Sequence, residues 1–256
     1  MLRQMNVLRR ALFAFDRQDR REAWHTVVGR LAKLLGTRVY DLHANWHDDP
    51  EFRAVWDGTP WPAHTADARK YTLFKLVRSL VTTEGDTAEC GVYHGMSSHL
   101  ILHGTRDPSR LHHIFDSFDG LSEPGAPDIV TDPQVFRWRK HDLRAPEEIA
   151  RANLARYPQA RFYPGWIPTR FDEVANRSFS LVHVDVDLYQ PTLDSLAFFF
   201  PRLAPGGMIV CDDYGFASCP GAQRAVDEYA AAHHLGAIAL PTGQAMLVRP
   251  LMRIEV

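Results

Sequence analysis

Two pairs of aspartates stand out because each directly follows a run of apolar residues. The stretch LVHVDVDLYQPT contains Asp185 and Asp187, and GMIVCDDY contains Asp212 and Asp213. Buried strands avoid acidic side chains unless something compensates the charge. Four carboxylates in one cleft would raise each other's pKa values, and a hard divalent cation such as Mg²⁺ would remove that repulsion. The pairs therefore predict a metal site with one carboxylate left to take a proton, unless some of them cap helices or form salt bridges.

These aspartates need a scaffold that brings separate strand ends together. From residue 70 onward, apolar runs alternate with helix-patterned segments joined by short connections. This alternation predicts a parallel, doubly wound α/β sheet with helices on both faces. The closing stretch GAIALPTGQAMLVRP predicts a hairpin that adds an antiparallel strand at one edge. Ligands bind outside the carboxyl ends of such strands, so acids that end different strands are expected to share one site.

The elements follow from apolar periodicity and from the positions of glycine and proline. Strands are expected at residues 87–93, 111–118, 161–166, 178–187 and 207–214. Helices are expected at residues 67–82, 95–104, 146–157, 191–203 and 221–234, with the stretch APGG ending the fourth of them. Residues 119–136 are expected to form a long loop.

The first strand ends in AECGVYHGMSS, a glycine-containing turn into a helix. Gly91 and Gly95 allow positive φ and close backbone approach. Val92 and Tyr93 stand where a dinucleotide fingerprint would need its second glycine, so a pyrophosphate ligand is disfavoured. Glu89, just before the turn, suggests a ligand with a cationic end, such as an amino-acid group. The alternative is a purely structural turn.

Asp116 ends the second strand, where an acid can accept hydrogen bonds from both hydroxyls of a ribose. The alternative is a helix cap or a solvated loop acid. An aromatic side chain after the third strand could stack on a purine or simply cover the core. The residues that continue these two loops could line the same pocket: Ser117, Phe118, Asp119, Gly165 and Trp166.

Bulk properties exclude several classes. The chain has 256 residues, 45% hydrophobic, which suits one large core with an extra segment. The net charge of -2 gives no electrostatic case for nucleic acid or an anionic membrane. No apolar run is long enough to span a bilayer, and residues 1–15 are typical of an amphipathic helix rather than a signal peptide. The three cysteines form no disulfide framework, so a cytoplasmic protein is expected.

Five motifs occur together in a characteristic order: ECGVYHG, FDSFDGL, YPGW, HVDVDLYQPT and LAPGGMIVCDDYG. In this combination the chain resembles the macrocin O-methyltransferase (TylF-type) family, metal-dependent S-adenosylmethionine (SAM) enzymes that methylate sugar hydroxyls on antibiotics and related glycosides. The resemblance covers roughly residues 70–256. It implies a Rossmann-like class I SAM methyltransferase fold with a mostly parallel seven-stranded sheet. Residues 1–69 are expected to form a helical or irregular segment that supplies a lid or oligomer contacts.

The resemblance also implies roles for individual residues. It places the metal ligands on Asp185, Asp212 and Asp213, and the general base on Asp187. The SAM loop falls on Glu89, Cys90, Gly91 and Tyr93, and the ribose acid on Asp116. The implied reaction is Mg²⁺-dependent transfer of a methyl group from SAM to a hydroxyl of a small sugar or glycoside, by an enzyme that self-associates.

Two other functions fit parts of the sequence. Asp185 and Asp187 also resemble the Asp-x-Asp motif of metal-dependent glycosyltransferases, although the second acidic pair and the glycine turn with Asp116 argue against that class. A non-catalytic methyltransferase-like scaffold is the other alternative, and the presence of all the carboxylates argues against it. His99 and His103, four apart on a predicted helix, are interpreted as packing or surface residues, whereas His94 in the glycine turn could touch a ligand.

Overall fold

The computed structural model describes residues 27–28, 30–32, 34, 45–57 and 67–251, and the chain forms two compact units, Met1–Arg53 and Ala54–Val256. In the first unit, Asn45–Asp48 form a 3-10 helix. Helix α1, Pro50–Trp56, follows it. The lid or oligomer role expected of residues 1–69 falls largely outside the described residues and stays a prediction.

The second unit is built on a seven-stranded sheet. Its strands are β1 (Asp86–Cys90), β2 (His112–Asp116), β3 (Ala160–Pro164), β4 (Phe179–Val184), β5 (Leu203–Cys211), β6 (Ile238–Ala239) and β7 (Ala245–Val248). They lie in the order β3-β2-β1-β4-β5-β7-β6, in which the first five are parallel. Strand β7 runs antiparallel to both β5 and β6. The predicted sheet and its C-terminal hairpin are therefore confirmed.

Helices cover both faces of this sheet. They are α2 (Asp67–Ser79), α3 (Met96–Thr105), α4 (Glu147–Leu154), α5 (Tyr189–Phe199) and α6 (Pro220–Ala232). Leu181 of β4 packs with Leu73 and Ile101 of helices α2 and α3. The next residue, Val182, packs with Leu196 and Val226 of α5 and α6, because neighbouring strand residues point to opposite faces. Of the helices in the described ranges, none has the length and apolarity to cross a membrane.

The junction between α5 and β5 differs from the sequence prediction. The helix ends at Phe199, a 3-10 turn covers Phe200–Arg202, and β5 begins at Leu203 rather than at residue 207. Pro, Gly and Gly are typical turn residues, which is why this stretch was predicted to lie outside the strand. Leu203 is nevertheless fully buried and pairs with Phe179 of β4. Burial at the core therefore outweighs the local turn preference.

Gly91 brings the end of β1 against the segment that follows β4. Its φ is +85°, and a Cβ atom built on it would lie 1.9 Å from the carbonyl oxygen of Asp185. The amide N–H of Asp185 donates to the carbonyl oxygen of Cys90 at 2.9 Å. The glycine therefore lets the backbone that carries the first aspartate pair pack directly on the turn.

Replacing Gly91 with alanine is expected to lower the free energy of unfolding by on the order of 3 kcal/mol, since it combines backbone strain with a clash against backbone atoms. Urea unfolding measures the loss. Gly236→Ala is the matched control, because no atom other than those of its chain neighbours lies within 4 Å of the position its Cβ would take. Equal unfolding midpoints for the two variants would contradict the packing role of Gly91.

Candidate active site

A cavity of about 480 Å³ opens at the carboxyl ends of β1, β2 and β4. Its walls come from the glycine turn after β1, the loop after β2 and the segment after β4. This volume is in the range of small-molecule sites, and the position is the edge at which parallel sheets bind ligands.

The cavity divides the predicted cofactor residues into two groups. The lining includes Gly91, Tyr93, Asp116, Ser117 and Trp166, together with His94. Outside the lining lie Glu89, Cys90, Phe118, Asp119 and Gly165. The first aspartate pair, Asp185 and Asp187, also lines the cavity, whereas Asp212 and Asp213 lie behind it.

Asp116 connects the glycine turn after β1 to the loop after β2 through hydrogen bonds. One carboxylate oxygen accepts the backbone N–H groups of Val92 at 2.7 Å and Tyr93 at 3.1 Å, and the other accepts that of Phe118 at 2.7 Å. Burial raises the pKa of Asp116, although these donors oppose the shift. An ionised carboxylate offers about four acceptor positions, so one remains for a ligand hydroxyl.

The predicted cofactor residues outside the lining make contacts within the protein. Phe118 packs against the cluster of Val92 and Ile114. The Asp119 carboxylate lies 3.3 Å from Arg144, and the Gly165 N–H donates to the carbonyl oxygen of Asp116 at 2.9 Å. These contacts join the three residues to other parts of the protein rather than to the cavity.

Glu89 and Cys90 are also buried behind the cavity. Glu89 is 1% exposed; it accepts a hydrogen bond from Ser98, and its other oxygen lies 2.8 Å from Nδ1 of His183. Burial raises the pKa of the Cys90 thiol to about 12, so the side chain is a neutral core residue.

Asp212 is the most heavily paired of the four aspartates. Its Oδ2 accepts from the Arg69 guanidinium at 2.5 Å, and its Oδ1 accepts from the Gln244 amide at 2.7 Å and lies 3.2 Å from Nε2 of His183. Burial alone would raise the pKa of Asp212, but Lys70, His183 and Arg69 outweigh burial and hold it far below its usual value. This carboxylate is therefore ionised.

The other three aspartates are less well compensated. Burial and the charge of Asp185 raise the pKa of Asp187 to about 7, and burial and Asp187 raise that of Asp213 well above its usual value. Burial and Asp212 likewise raise the pKa of Asp185, whose nearest cation, the Lys70 ammonium, is 3.7 Å away. Negative charge is therefore in excess at this edge of the sheet.

The four aspartates form two adjoining groups. In one, ligand atoms of His183, Asp185 and Asp212 all lie within 4.8 Å of one another; in the other, those of Asp187, Asp213 and Cys219 do. The Asp187 N–H donates to Asp213 at 2.9 Å. The predicted metal ligands Asp185, Asp212 and Asp213 are thus drawn from both groups.

Sequence reasoning missed the basic and amide partners of these acids. His183 shares the two-residue spacing of Asp185 and Asp187, so strand periodicity could have found it. Arg69 and Lys70 lie on α2 and Gln244 lies in the C-terminal hairpin, where no local pattern marks them. His99, by contrast, is a packing residue as predicted: it is 1% exposed, and its ring lies 2.8 Å from the Tyr157 hydroxyl.

The polar side chains buried behind the cavity extend from Glu89 through Ser98 to His112. This histidine is 1% exposed, with its ring nitrogens 2.9 Å from Ser98 and 2.9 Å from Thr87. Burial, with smaller effects of His113 and His183, lowers the pKa of His112 to about 3. The ring is therefore neutral in the folded protein at neutral pH.

Acid is expected to destabilise the fold through His112. An unfolded histidine binds a proton near pH 6.5, whereas the folded one does so only near pH 3, so stability decreases as the pH falls between these values. The slope reaches about 1.4 kcal/mol per pH unit for one group. Urea unfolding should show that the free energy of unfolding falls less between pH 7.5 and pH 5.5 for His112→Gln than for the wild type. An identical decrease in the two proteins would contradict the neutral state of His112 in the fold.

Comparisons with known proteins give the chain its family. A family profile described as macrocin-O-methyltransferase (TylF) matches residues 3–240, so the match includes most of the N-terminal segment. A tetracenomycin rhamnosyl 4'-O-methyltransferase of Streptomyces olivaceus is 33% identical, with 78% of this chain and 82% of that protein covered. Demethyldecarbamoylnovobiocin O-methyltransferase of Streptomyces niveus is 30% identical, covering 78% of this chain and 84% of that protein.

Solved structures agree with this result. The O-methyltransferase NovP superposes with a TM-score of 0.60 at 26% identity, and the superposition covers 78% of this chain and 88% of NovP. The calicheamicin methyltransferase CalS11 has a TM-score of 0.61 at 18% identity, and the superposition covers 82% of this chain and 94% of CalS11. This chain therefore has the same fold as CalS11. The predicted Rossmann-like methyltransferase fold is confirmed. The chain belongs to the macrocin-O-methyltransferase (TylF) family and is an O-methyltransferase.

Proposed function

We propose that this enzyme transfers a methyl group from SAM to a hydroxyl group of a sugar or glycoside, with a divalent cation such as Mg²⁺. The observation that carries this proposal is that the aspartate groups adjoin the cavity that contains the glycine turn and Asp116. The relatives support the acceptor class, because the Streptomyces olivaceus relative is named for a rhamnosyl group.

The donor would occupy the part of the cavity between Gly91, Asp116 and Trp166. Asp116 retains one acceptor position for a ribose hydroxyl, and Trp166 is 39% exposed at the cavity, where its ring can stack on the adenine. Glu89 does not line the cavity, so its contact with His183 favours a different role from the one predicted.

The residues present fit a divalent cation in charge and in ligand type. Within the described ranges, six carboxylates lie at this edge: Glu89, Asp116, Asp185, Asp187, Asp212 and Asp213. The cations facing them there are Arg69, Lys70 and His183, whose pKa is raised to about 9. Burial beside other carboxylates raises the pKa values of Asp185, Asp187 and Asp213, a repulsion that a divalent ion would relieve, and carboxylate oxygens are the ligands that Mg²⁺ prefers.

Asp185, Asp212 and Asp213 would hold the cation. Because Oδ2 of Asp212 is paired with Arg69, cation binding at that atom requires the guanidinium to give up the contact. When bound, such an ion lowers the pKa of a hydroxyl group that faces it.

Asp187 is proposed as the proton acceptor. It lines the cavity, and the side chain that donates to its carboxylate is the Cys219 thiol at 3.5 Å, a weak donor that leaves acceptor positions available. The acceptor oxygen forms a bond to the methyl carbon as the carbon–sulfur bond breaks; the electron pair stays on sulfur, and the hydroxyl proton passes to Asp187. The walls hold donor and acceptor in line, which can contribute about 7–11 kcal/mol.

Transfer of labelled methyl groups from SAM to a panel of glycosides, free sugars and nucleotide sugars tests this function. We expect a methylated sugar and S-adenosylhomocysteine in equal amounts. Cleavage of a nucleotide sugar without methyl release would favour the glycosyltransferase alternative, and donor binding without product across the panel would favour the scaffold. Self-association stays a prediction, which light scattering can check.

A further inference from the structure

The carboxylate of Asp212 is held asymmetrically. Its Oδ1 contacts two side chains that are 0% exposed, those of His183 and Gln244. Its Oδ2 contacts Arg69, whose side chain is 26% exposed. One oxygen is thus fixed from inside the sheet, while the other faces a long side chain that has room to move.

The contacts of His183 make it a support for Asp212 rather than a metal ligand. Nδ1 lies 2.8 Å from a carboxylate oxygen of Glu89, and Nε2 lies 3.2 Å from Oδ1 of Asp212. The ring thus lies between two carboxylates, with one nitrogen facing each, so both nitrogens are already engaged by protein groups. Glu89 is the direct partner of His183 across β1 and β4, which fixes the ring in the sheet.

Gln244 reaches the same oxygen from the C-terminal hairpin. Its amide nitrogen donates to Oδ1 of Asp212 at 2.7 Å, and its amide oxygen accepts from the Thr242 hydroxyl at 2.9 Å. The Asp212 carboxylate and the Arg69 carbonyl oxygen, 3.5 Å from the amide nitrogen, fix which end of the amide faces Asp212, because both groups accept hydrogen bonds. The hairpin at the sheet edge is thereby connected to the acid cluster.

We propose that His183 and Gln244 are positioning residues that hold Asp212 in the orientation that binds the divalent cation. Glu89, which does not line the cavity, acts through its contact with His183. This inference rests on the proposed function, since it requires that a cation binds. Groups that orient metal ligands typically change metal affinity by about 10–100-fold when they are removed.

The cleanest test is Gln244→Met, which removes the donor without changing charge or length much. In the full-length protein, calorimetry with Mg²⁺ and electron paramagnetic resonance titration with Mn²⁺ should show a dissociation constant raised by about tenfold or more. At saturating Mg²⁺, kcat should return close to the wild-type value, while the Mg²⁺ concentration that gives half-maximal rate rises. Thr105→Val is the control, because it also removes a buried donor, from a site at the far end of α3.

A second variant keeps the test valid if Gln244→Met does not fold. The double variant Glu89→Gln/His183→Gln removes one negative and one positive charge, so weaker cation binding would reflect orientation rather than net charge. His113→Gln is its control, as a buried histidine of β2 whose ring nitrogens face Tyr163 and Asp86 rather than Glu89 or Asp212. Unchanged cation affinity in a folded Gln244→Met or double variant would overturn the inference alone. A wild-type protein that binds no divalent cation would overturn the metal part of the proposed function as well.

Discussion

Removal of divalent cations is expected to abolish methyl transfer, and Mg²⁺ is expected to restore it. The acceptor hydroxyl is a poor nucleophile at neutral pH, and a cation beside it contributes several kcal/mol to the transition state. The rate in EDTA should therefore fall by on the order of 10³-fold, since each 1.36 kcal/mol is a factor of ten. Initial rates at fixed SAM and acceptor, with EDTA and then with excess Mg²⁺, measure the effect.

Substitution of a single proposed metal ligand is also expected to make methyl transfer more dependent on the Mg²⁺ concentration. Asp213→Asn removes one of the proposed ligands and keeps its shape, so it should weaken Mg²⁺ binding and lower the rate at limiting Mg²⁺. Asp172→Asn is the matched control, since Asp172 is an exposed acid between β3 and β4. Full activity of the wild type in EDTA, together with equal Mg²⁺ dependence of the two variants, would remove the cation from the reaction.

The second large effect is expected at Asp187. Asp187→Asn should lower kcat by about 10²–10⁴-fold, the usual contribution of a positioned general base. The residue has φ of +60°, which asparagine tolerates, and its backbone N–H can still donate to Asp213. The fold and the affinity for SAM should therefore stay close to those of the wild type.

Single-turnover rates and calorimetric titration with S-adenosylhomocysteine separate these effects. Asp172→Asn is again a suitable control, because Asp172 is an exposed acid between β3 and β4 and does not line the cavity. Near wild-type turnover of Asp187→Asn would show that another group accepts the proton. A parallel loss of cofactor binding would instead point to a structural role.

Residue types and periodicity predicted much of the fold. Alternation of apolar runs and helix patterns gave the parallel strands and the covering helices, because each pattern reflects which face must be buried. The extent of β5 was not predictable in this way, since Pro205 and Gly206 have local turn preferences. The burial of Leu203 and the backbone hydrogen bonds of Gly206 and Gly207 with Arg249 hold this stretch in a strand. The same limit applies to Gly91, whose role depends on the backbone of Asp185, which is distant in sequence.

The sequence by itself determined that acids end several parallel strands and share one edge of the sheet, because parallel strands align their carboxyl ends. Tertiary structure decided which of those acids face the cavity and which are supported from behind. Glu89 lies only two residues before Gly91 in sequence, yet its side chain contacts His183, its direct partner on β4, and does not line the cavity. Contacts such as those of Arg69 and Gln244 with Asp212 join residues 143 and 32 positions apart, and only packing of the whole sheet brings them together.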